Sequence, residues 1–223
     1  MDEDRYTDPM ERYERSKQTL PWSGVVLSVQ PRIRLFRSFD EVSHTYLGYN
    51  LGVDGEVEGE KRKFVVAIGK ATHAKHQLRT GDKVSGVGKP LFGHLVEMAD
   101  LFKVSKFKVV GRGQEGQDGP PWHTLAPSLE VYRERGHRRL DAKTFDAKCS
   151  TCVWGCQMPV EILVDHWKPD GARKYRVEAF CYGPTSCPSY AAGPKRQVKG
   201  RNGMVYVEED WVDADAVSHR KPE

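Results

Sequence analysis

The chain has 223 residues, of which 38% are hydrophobic and 30% charged, with a formal net charge of +4. This balance is typical of a globular protein with one large or two small domains, and it excludes a chain that is disordered throughout. No apolar run approaches the roughly 20 residues that a membrane-spanning helix needs. The charged N-terminus lacks the apolar core of a secretion signal, so we expect a cytoplasmic protein without a membrane partner.

Residues 1–21 mix acids, bases and tyrosines without an aliphatic stripe, which indicates a flexible N-terminal arm, or alternatively a peripheral helix, that ends near Pro21–Gly24. Apolar and polar residues then alternate along Val25–Phe39, which predicts a strand with one buried face. Pro31 favours a bulge in the middle of this strand. The apolar positions that we expect to face the core are the odd ones, Val25, Leu27, Val29, Ile33 and Leu35.

Four further strands and one short helix are predicted before residue 110. The strands are His44–Val53, Phe64–Ile68, Lys83–Val87 and Leu101–Val110, and the helical segment is Lys70–Leu78. Five strands with a helical piece between the third and fourth resemble an OB-fold barrel, and Gln77–Gly86 resembles the Gly-Asp turn that opens the fourth strand of such barrels. The resemblance covers about residues 22–110 and implies a mainly β fold but no particular activity.

One face of the predicted barrel carries cations beside aromatic rings. If the odd residues of the first strand face the core, Arg32, Arg34 and Phe36 face solvent together, and we expect His44 and Tyr46 to face solvent on the second strand. Single-stranded nucleic acid is bound by such surfaces, because charge follows the phosphates and rings stack on bases. The alternative is a solvated barrel surface.

A second basic cluster follows a predicted linker. Residues 111–121 are rich in Gly, Gln and Pro and divide the barrel from a C-terminal domain, residues 122–223. A short helix there ends in a basic run that we predict to bind phosphates. The alternative is a solvated helix end that the helix dipole favours. The predicted phosphate-binding residues are Arg133, Arg135, Arg138 and Arg139.

All five cysteines lie in one short segment, with spacing C-x2-C-x3-C and then C-x5-C. They are Cys149, Cys152, Cys156, Cys181 and Cys187. Clustered cysteines in a cytosolic chain indicate a metal site. The region resembles a zinc ribbon, which implies a structural Zn²⁺ held by four of the five thiolates. An iron–sulfur cluster and free buried thiols are the alternatives.

The predicted C-terminal strands are consistent with a ribbon-like β-hairpin. Val160–Val164 and Tyr175–Phe180 flank a turn at Pro169–Gly171, and Asn202-Gly203 predicts a second hairpin with a returning strand at Met204–Val207. The predicted fold is therefore mainly β, a five-stranded OB-like barrel followed by a smaller metal-stabilised hairpin domain.

The function predicted first is non-enzymatic binding of single-stranded nucleic acid. No Ser/His/Asp arrangement, Gly-rich phosphate loop or H-E-x-x-H motif supports an enzyme, although the sequence does not exclude one. The alternatives are an interaction or scaffold module that partners a metabolic enzyme, as in proteins that pair a zinc ribbon with an OB barrel beside thiolases, and an iron–sulfur redox protein.

Overall fold

The fold is described by a computed structural model over residues 14, 16–39, 41–92, 96–114, 116, 118–165, 167 and 173–221. The chain is mainly β, with 47% strand and 18% helix, which confirms the predicted class. Within these residues, eight strands form one large sheet, and two more form a separate hairpin. Residues 1–13 and 15 of the predicted N-terminal arm, and the predicted turn at Pro169–Gly171, lie outside the described residues.

The first half of the chain follows the predicted order of elements. Its elements are β1 (Leu20–Arg37), β2 (Val42–Val57), β3 (Glu60–Ile68), α1 (Lys70–His76), β4 (Lys83–Pro90) and β5 (Leu101–Gly111). β1 begins earlier than predicted, because Pro21 and Trp22 already pair with β4 and the Trp22 ring is buried in the core.

Each of these five strands pairs with two of the others. β1 is antiparallel to both β2 and β4, β2 is antiparallel to β3, and β4 is antiparallel to β5. A short parallel contact, Val66 opposite Leu101, joins β3 to β5. The apolar side chains that these strands turn inward belong to one buried cluster, which includes Val29, Leu51 and Val84.

The second half of the chain continues the same sheet. Its elements are α2 (Leu129–Arg135), β6 (Arg138–Arg139), α3 (Ala142–Thr144), a π-helical turn (Phe145–Cys149), β7 (Gly155–Leu163), β8 (Arg173–Cys181), β9 (Arg196–Lys199), β10 (Val205–Glu208) and α4 (Asp210–Val217). The predicted pairing of β7 with β8 and the hairpin at Asn202-Gly203 are present.

The β7–β8 hairpin attaches to the first half through a parallel contact with β1. Leu35, Phe36 and Arg37 lie opposite Val160, Glu161 and Ile162. The main buried cluster includes Met158, Val160 and Phe180 together with the core of the first five strands. Among the described residues the hairpin is thus an extension of the large sheet rather than a sheet of its own.

A bulge at Leu27 changes which residues of β1 face the core. The register with β2 shifts between Val26 and Ser28, so Leu27 has no partner of its own. The prediction that Val25 faces the core is therefore wrong: Val25 is 36% exposed, whereas Val26 is fully buried. After the bulge the odd positions do face the core, as predicted, and Pro31 does not reverse them.

A second irregularity lies in β2. Ile33 pairs with Tyr46 while Arg32 pairs with Gly48, so Leu47 is skipped. Gly48 has a φ of +142°, and a Cβ there would lie 2.1 Å from the Ile68 oxygen, so this position requires glycine. The skipped residue reverses the facing of every β2 side chain that precedes it.

Candidate nucleic-acid interface

The outer face of β1, β2 and β3 carries a row of polar side chains. Gln30 lies directly opposite Asn50, and Ser28 lies opposite Gly52. Directly opposed residues of an antiparallel pair share a face of the sheet. We call this surface the strand face; it comprises Ser28, Gln30, Arg32, Arg34 and Phe36 of β1, Asn50 and Gly52 of β2, and Lys63 and Val65 of β3.

The strand face continues onto the C-terminal hairpin. Phe36 lies beside Glu161 of β7, and Glu161 lies beside Tyr175 of β8. The Tyr175 side chain is 37% exposed, and Phe36 is half-buried. Arg34 is exposed on the same face, one outward position from Phe36. Two aromatic side chains and a cation thus lie on one surface, on β1 and β8, with Glu161 of β7 between Phe36 and Tyr175.

A cavity of about 410 Å³ lies on the strand face. Its floor is formed by outward positions of β1, β2 and β3. One wall is the segment around the π-helical turn, with Phe145, Ser150 and Thr151, and another is formed by Met98 and Asp100. Such a volume falls within the range of about 300–1,000 Å³ that small-molecule sites occupy.

Gln30 fastens the cysteine segment to the strand face. Its side-chain nitrogen donates to the backbone oxygens of Cys149, at 3.0 Å, and Cys152, at 2.9 Å. Only the NH₂ group of a carboxamide can donate, so these two bonds fix the orientation of the amide and turn its oxygen away from both carbonyls. Gln30 therefore holds one wall of the cavity in position.

Arg32 holds the opposite wall. Its guanidinium forms an ion pair with Glu97, which is nearly buried, and its Nε lies 3.0 Å from the Glu97 carboxylate. Glu97 precedes Met98 and Asp100 of the cavity wall. Arg32 faces outward as predicted, but its charge is paired with Glu97. Its role is therefore to position the cavity wall that follows Glu97.

The structure does not place His44 and Tyr46 on the strand face, so that prediction of facing is wrong. Tyr46 pairs with the buried Ile33 and packs against the core, and His44 pairs with the buried Leu35. The cause is the skipped residue in β2, which reverses the facing of both. The His44 ring contacts the His137 ring, with ring centres 4.6 Å apart and ring planes inclined by 54°.

Burial governs the titration of His44. The pKa of His44 is lowered from 6.5 to about 4, first by burial and then by the positive charge of Arg37, with Glu178 acting in the opposite direction. The pKa of its neighbour His137 is lowered well below its usual range, again mainly by burial. The pair is therefore neutral at pH 7 and contributes no cation to a nucleic-acid surface.

The predicted basic cluster contains one exposed arginine and others whose guanidinium groups bind within the chain. Arg133 is exposed, and its guanidinium lies 4.8 Å from the centre of the Tyr46 ring. Arg135 donates to the Tyr182 backbone oxygen at 2.7 Å and lies over the Trp154 ring. Within this cluster, Arg133 has the exposure that binding to a phosphate requires.

Arg138 and Arg139 are buried and bound to other parts of the chain. Arg139 is 1% exposed, and its guanidinium contacts Asp210 and Asp213 at 2.7 Å each. Arg138 donates to the Pro184 oxygen at 2.9 Å and lies 3.8 Å from the centre of the Tyr190 ring. These two guanidinium groups hold α4 and the last loops against β6. Arg138 and Arg139 are therefore not part of the nucleic-acid surface that we propose below.

Four of the five cysteines line one small pocket. Cys149 and Cys152 reach it from the turn before β7, and Cys181 and Cys187 reach it from the end of β8 and the loop that follows. Cys156 does not line this pocket: it is fully buried, and its Sγ donates to the Pro31 oxygen at 3.2 Å. The arrangement thus separates Cys156 from the other four thiols.

Burial, and to a smaller extent the neighbouring thiols, raise the pKa values of Cys149, Cys152 and Cys181. The pKa of Cys149 rises to about 12, first through burial and then through the neighbouring Cys152, Cys181 and Cys187. Across the described ranges, however, no group of three or more His, Cys, Asp or Glu side chains is arranged as a metal site. The donor set suits zinc by its chemistry, four sulfurs around one pocket, and a metal ion stays a proposal.

Comparison of the chain with known protein families, curated proteins and solved structures finds no match in any of the three. No helix in the described part of the chain is long and apolar enough to cross a membrane.

The sequence reasoning missed the polar floor of the cavity. Gln30 and Asn50 are ordinary outward residues of two predicted strands, and nothing in their local sequence marks them. The signal that could have found them is the register, since pairing Val29 with Leu51 places Gln30 beside Asn50. Phe145 and Thr151 become visible as cavity walls only once the cysteine turn is docked.

Proposed function

We propose that this protein binds single-stranded nucleic acid along the strand face, with the cycle of five paired strands acting as an OB-like barrel. The observation that carries the proposal is the placement of exposed Arg34, half-buried Phe36 and exposed Tyr175 on one surface, with the single strand β7 between β1 and β8. The order of the pairings, with a helix between β3 and β4, supports the OB-like assignment.

The chemistry of this surface suits an unpaired strand. Phe36 and Tyr175 offer faces on which bases stack, and each stacked base contributes about 1–3 kcal/mol. Arg34 beside them and Lys63 at the far edge of the cavity offer cations to the phosphates. A duplex has no free base faces, so the same surface favours single strands.

The test measures fluorescence anisotropy of labelled 12-nucleotide DNA and RNA strands over a range of salt concentrations. We expect binding that weakens with salt, with a slope of about −0.7 per neutralised phosphate. Arg34→Gln should weaken binding and reduce the slope, because one phosphate contact is lost. Tyr175→Ala should weaken binding without changing the slope.

Lys75→Gln is the matched control for charge. Lys75 is an exposed cation on α1, outside the strand face, so its removal changes the net charge by the same amount as Arg34→Gln. Equal effects of the two variants would indicate nonspecific attraction and oppose the proposed surface. If neither DNA nor RNA binds the protein at low salt, the proposal is wrong.

We further propose that Cys149, Cys152, Cys181 and Cys187 bind a structural zinc ion. The support is that these four thiols line one pocket while Cys156 lies apart. A closed site of four thiolates leaves no open position, so the metal would supply folding free energy rather than catalysis. It would join the cysteine turn to the loop after β8.

Elemental analysis of the purified protein tests this second proposal. We expect one zinc per chain in the native protein and in Cys156→Ala, and loss of the metal in Cys181→Ser. Cys156→Ala is the matched control because it removes a thiol from the same segment outside the pocket. A brown protein that contains iron would favour the iron–sulfur alternative, and a metal-free folded protein would contradict both.

A further inference from the structure

We infer that the cavity on the strand face is a pocket for one unstacked nucleobase that carries an exocyclic amino group, as adenine, cytosine and guanine do. The inference rests on the proposed function and gives it a sequence preference. Its basis is the pairing of Gln30 with Asn50 on the cavity floor and the free hydrogen-bonding capacity of these two carboxamides.

The floor of the cavity presents acceptors. The NH₂ group of Gln30 already donates to the carbonyls of Cys149 and Cys152, so what the side chain has left to offer is its oxygen. Within the described part of the chain, Oδ1 of Asn50 is buried and has no hydrogen-bond partner. An unpaired buried acceptor is unfavourable, and rotation of the Asn50 carboxamide toward the cavity would let a ligand donor satisfy it.

Paired acceptors discriminate among the bases. An exocyclic amino group carries two N–H bonds and can donate one to each carboxamide oxygen. Thymine and uracil present one N–H flanked by two carbonyl oxygens, and these oxygens would face the acceptors of Gln30 and Asn50. We therefore expect rejection of thymine and uracil, since oxygen would be placed against oxygen.

The walls of the cavity suit a flat ring. Leu27, Met98 and Phe145 supply apolar surface around the polar floor. Lys63 is exposed at the edge of the cavity, where it can meet the phosphate of the inserted nucleotide. Apolar walls with a few placed polar groups are the usual composition of a small-ligand pocket.

The test uses dT12 strands in which one central thymidine is replaced by dC, dA, dG or an abasic site, and the matching rU12 strands with one rC. A single dC should raise affinity roughly tenfold over dT12, the effect of one or two hydrogen bonds. The DNA and RNA series separate a base preference from a sugar preference. Asn50→Leu should abolish the gain, so that this variant binds the dC-containing strand and dT12 with equal affinity.

A second measurement covers the case in which Asn50→Leu does not fold. Free CMP and UMP are titrated into the native protein, and the side-chain amide resonances of Gln30 and Asn50 are followed by NMR. We expect both resonances to shift with CMP and to stay in place with UMP. This titration uses the native chain and needs no long strand.

The outcomes separate this inference from the proposed function. Binding of all strands with equal affinity, with no response to CMP, overturns the base pocket and leaves the strand-face proposal standing. A CMP response without binding of any strand keeps the pocket and overturns the strand-face proposal. Neither binding nor a CMP response overturns both.

Discussion

Replacing Gln30 with leucine should loosen the cysteine turn from the strand face. The substitution removes two hydrogen bonds, to the Cys149 oxygen at 3.0 Å and the Cys152 oxygen at 2.9 Å. Each such bond contributes about 0.5–1.5 kcal/mol net. Both carbonyls keep one other partner, the amide of Cys152 and that of Gly155, so neither is left wholly unpaired. We therefore expect Gln30→Leu to cost about 2 kcal/mol of unfolding free energy.

Gln30→Glu should be worse than Gln30→Leu, because a carboxylate would place negative charge against both backbone oxygens. Guanidinium denaturation followed by tryptophan fluorescence gives the midpoint and slope for each variant. Gln157→Leu is the matched control: it removes a carboxamide that also lines the cavity, and we expect a change within about 0.5 kcal/mol. If Gln30→Leu unfolds at the native midpoint, Gln30 does not hold the cysteine turn.

Three further predictions concern buried groups of the fold. The pKa of His44 is about 4 in the folded protein and 6.5 in the unfolded chain, so the unfolding free energy should fall by up to roughly 3 kcal/mol as pH falls from 6.5 to 4. His44→Phe should flatten this part of the plot of unfolding free energy against pH, and an unchanged plot would contradict the lowered pKa of His44. Arg37→Met should cost about 3–5 kcal/mol by denaturation, because it leaves the buried Glu178 and Glu208 carboxylates short of a cation; a loss below 1 kcal/mol would show that the network is solvated. Tyr49→Phe removes the hydroxyl that donates to the Pro127 oxygen at 2.7 Å and should lower stability by about 1 kcal/mol, whereas a gain in stability would argue against this bond.

The alternation of apolar and polar residues predicts the positions of the strands better than it predicts which side of the sheet each side chain faces. The five strands of the first half, the helix after β3 and the hairpin at Asn202-Gly203 all lie where the pattern placed them. The extra residues at Leu27 and Leu47 are different, because a bulge keeps the apolar composition and only shifts the register. His44 and Tyr46 were therefore assigned to the wrong face.

The basic cluster shows why charge spacing alone does not reveal a surface. Arg138 and Arg139 stand in a run of cations that is typical of a phosphate-binding segment. Their partners, Asp210, Asp213 and the Pro184 oxygen, come from parts of the chain about 45 to 75 residues away. Such pairings depend on tertiary contacts, and no local pattern reports them.

Photocrosslinking tests the central claim, that nucleic acid lies on the strand face, most directly. A single-stranded DNA that carries a photoreactive base is bound and irradiated, and the crosslinked peptides are identified by mass spectrometry. We predict crosslinks in β1 and β8, at Phe36 and Tyr175. Crosslinks confined to β5, whose Lys103, Lys106 and Lys108 form another exposed basic row, would contradict the account.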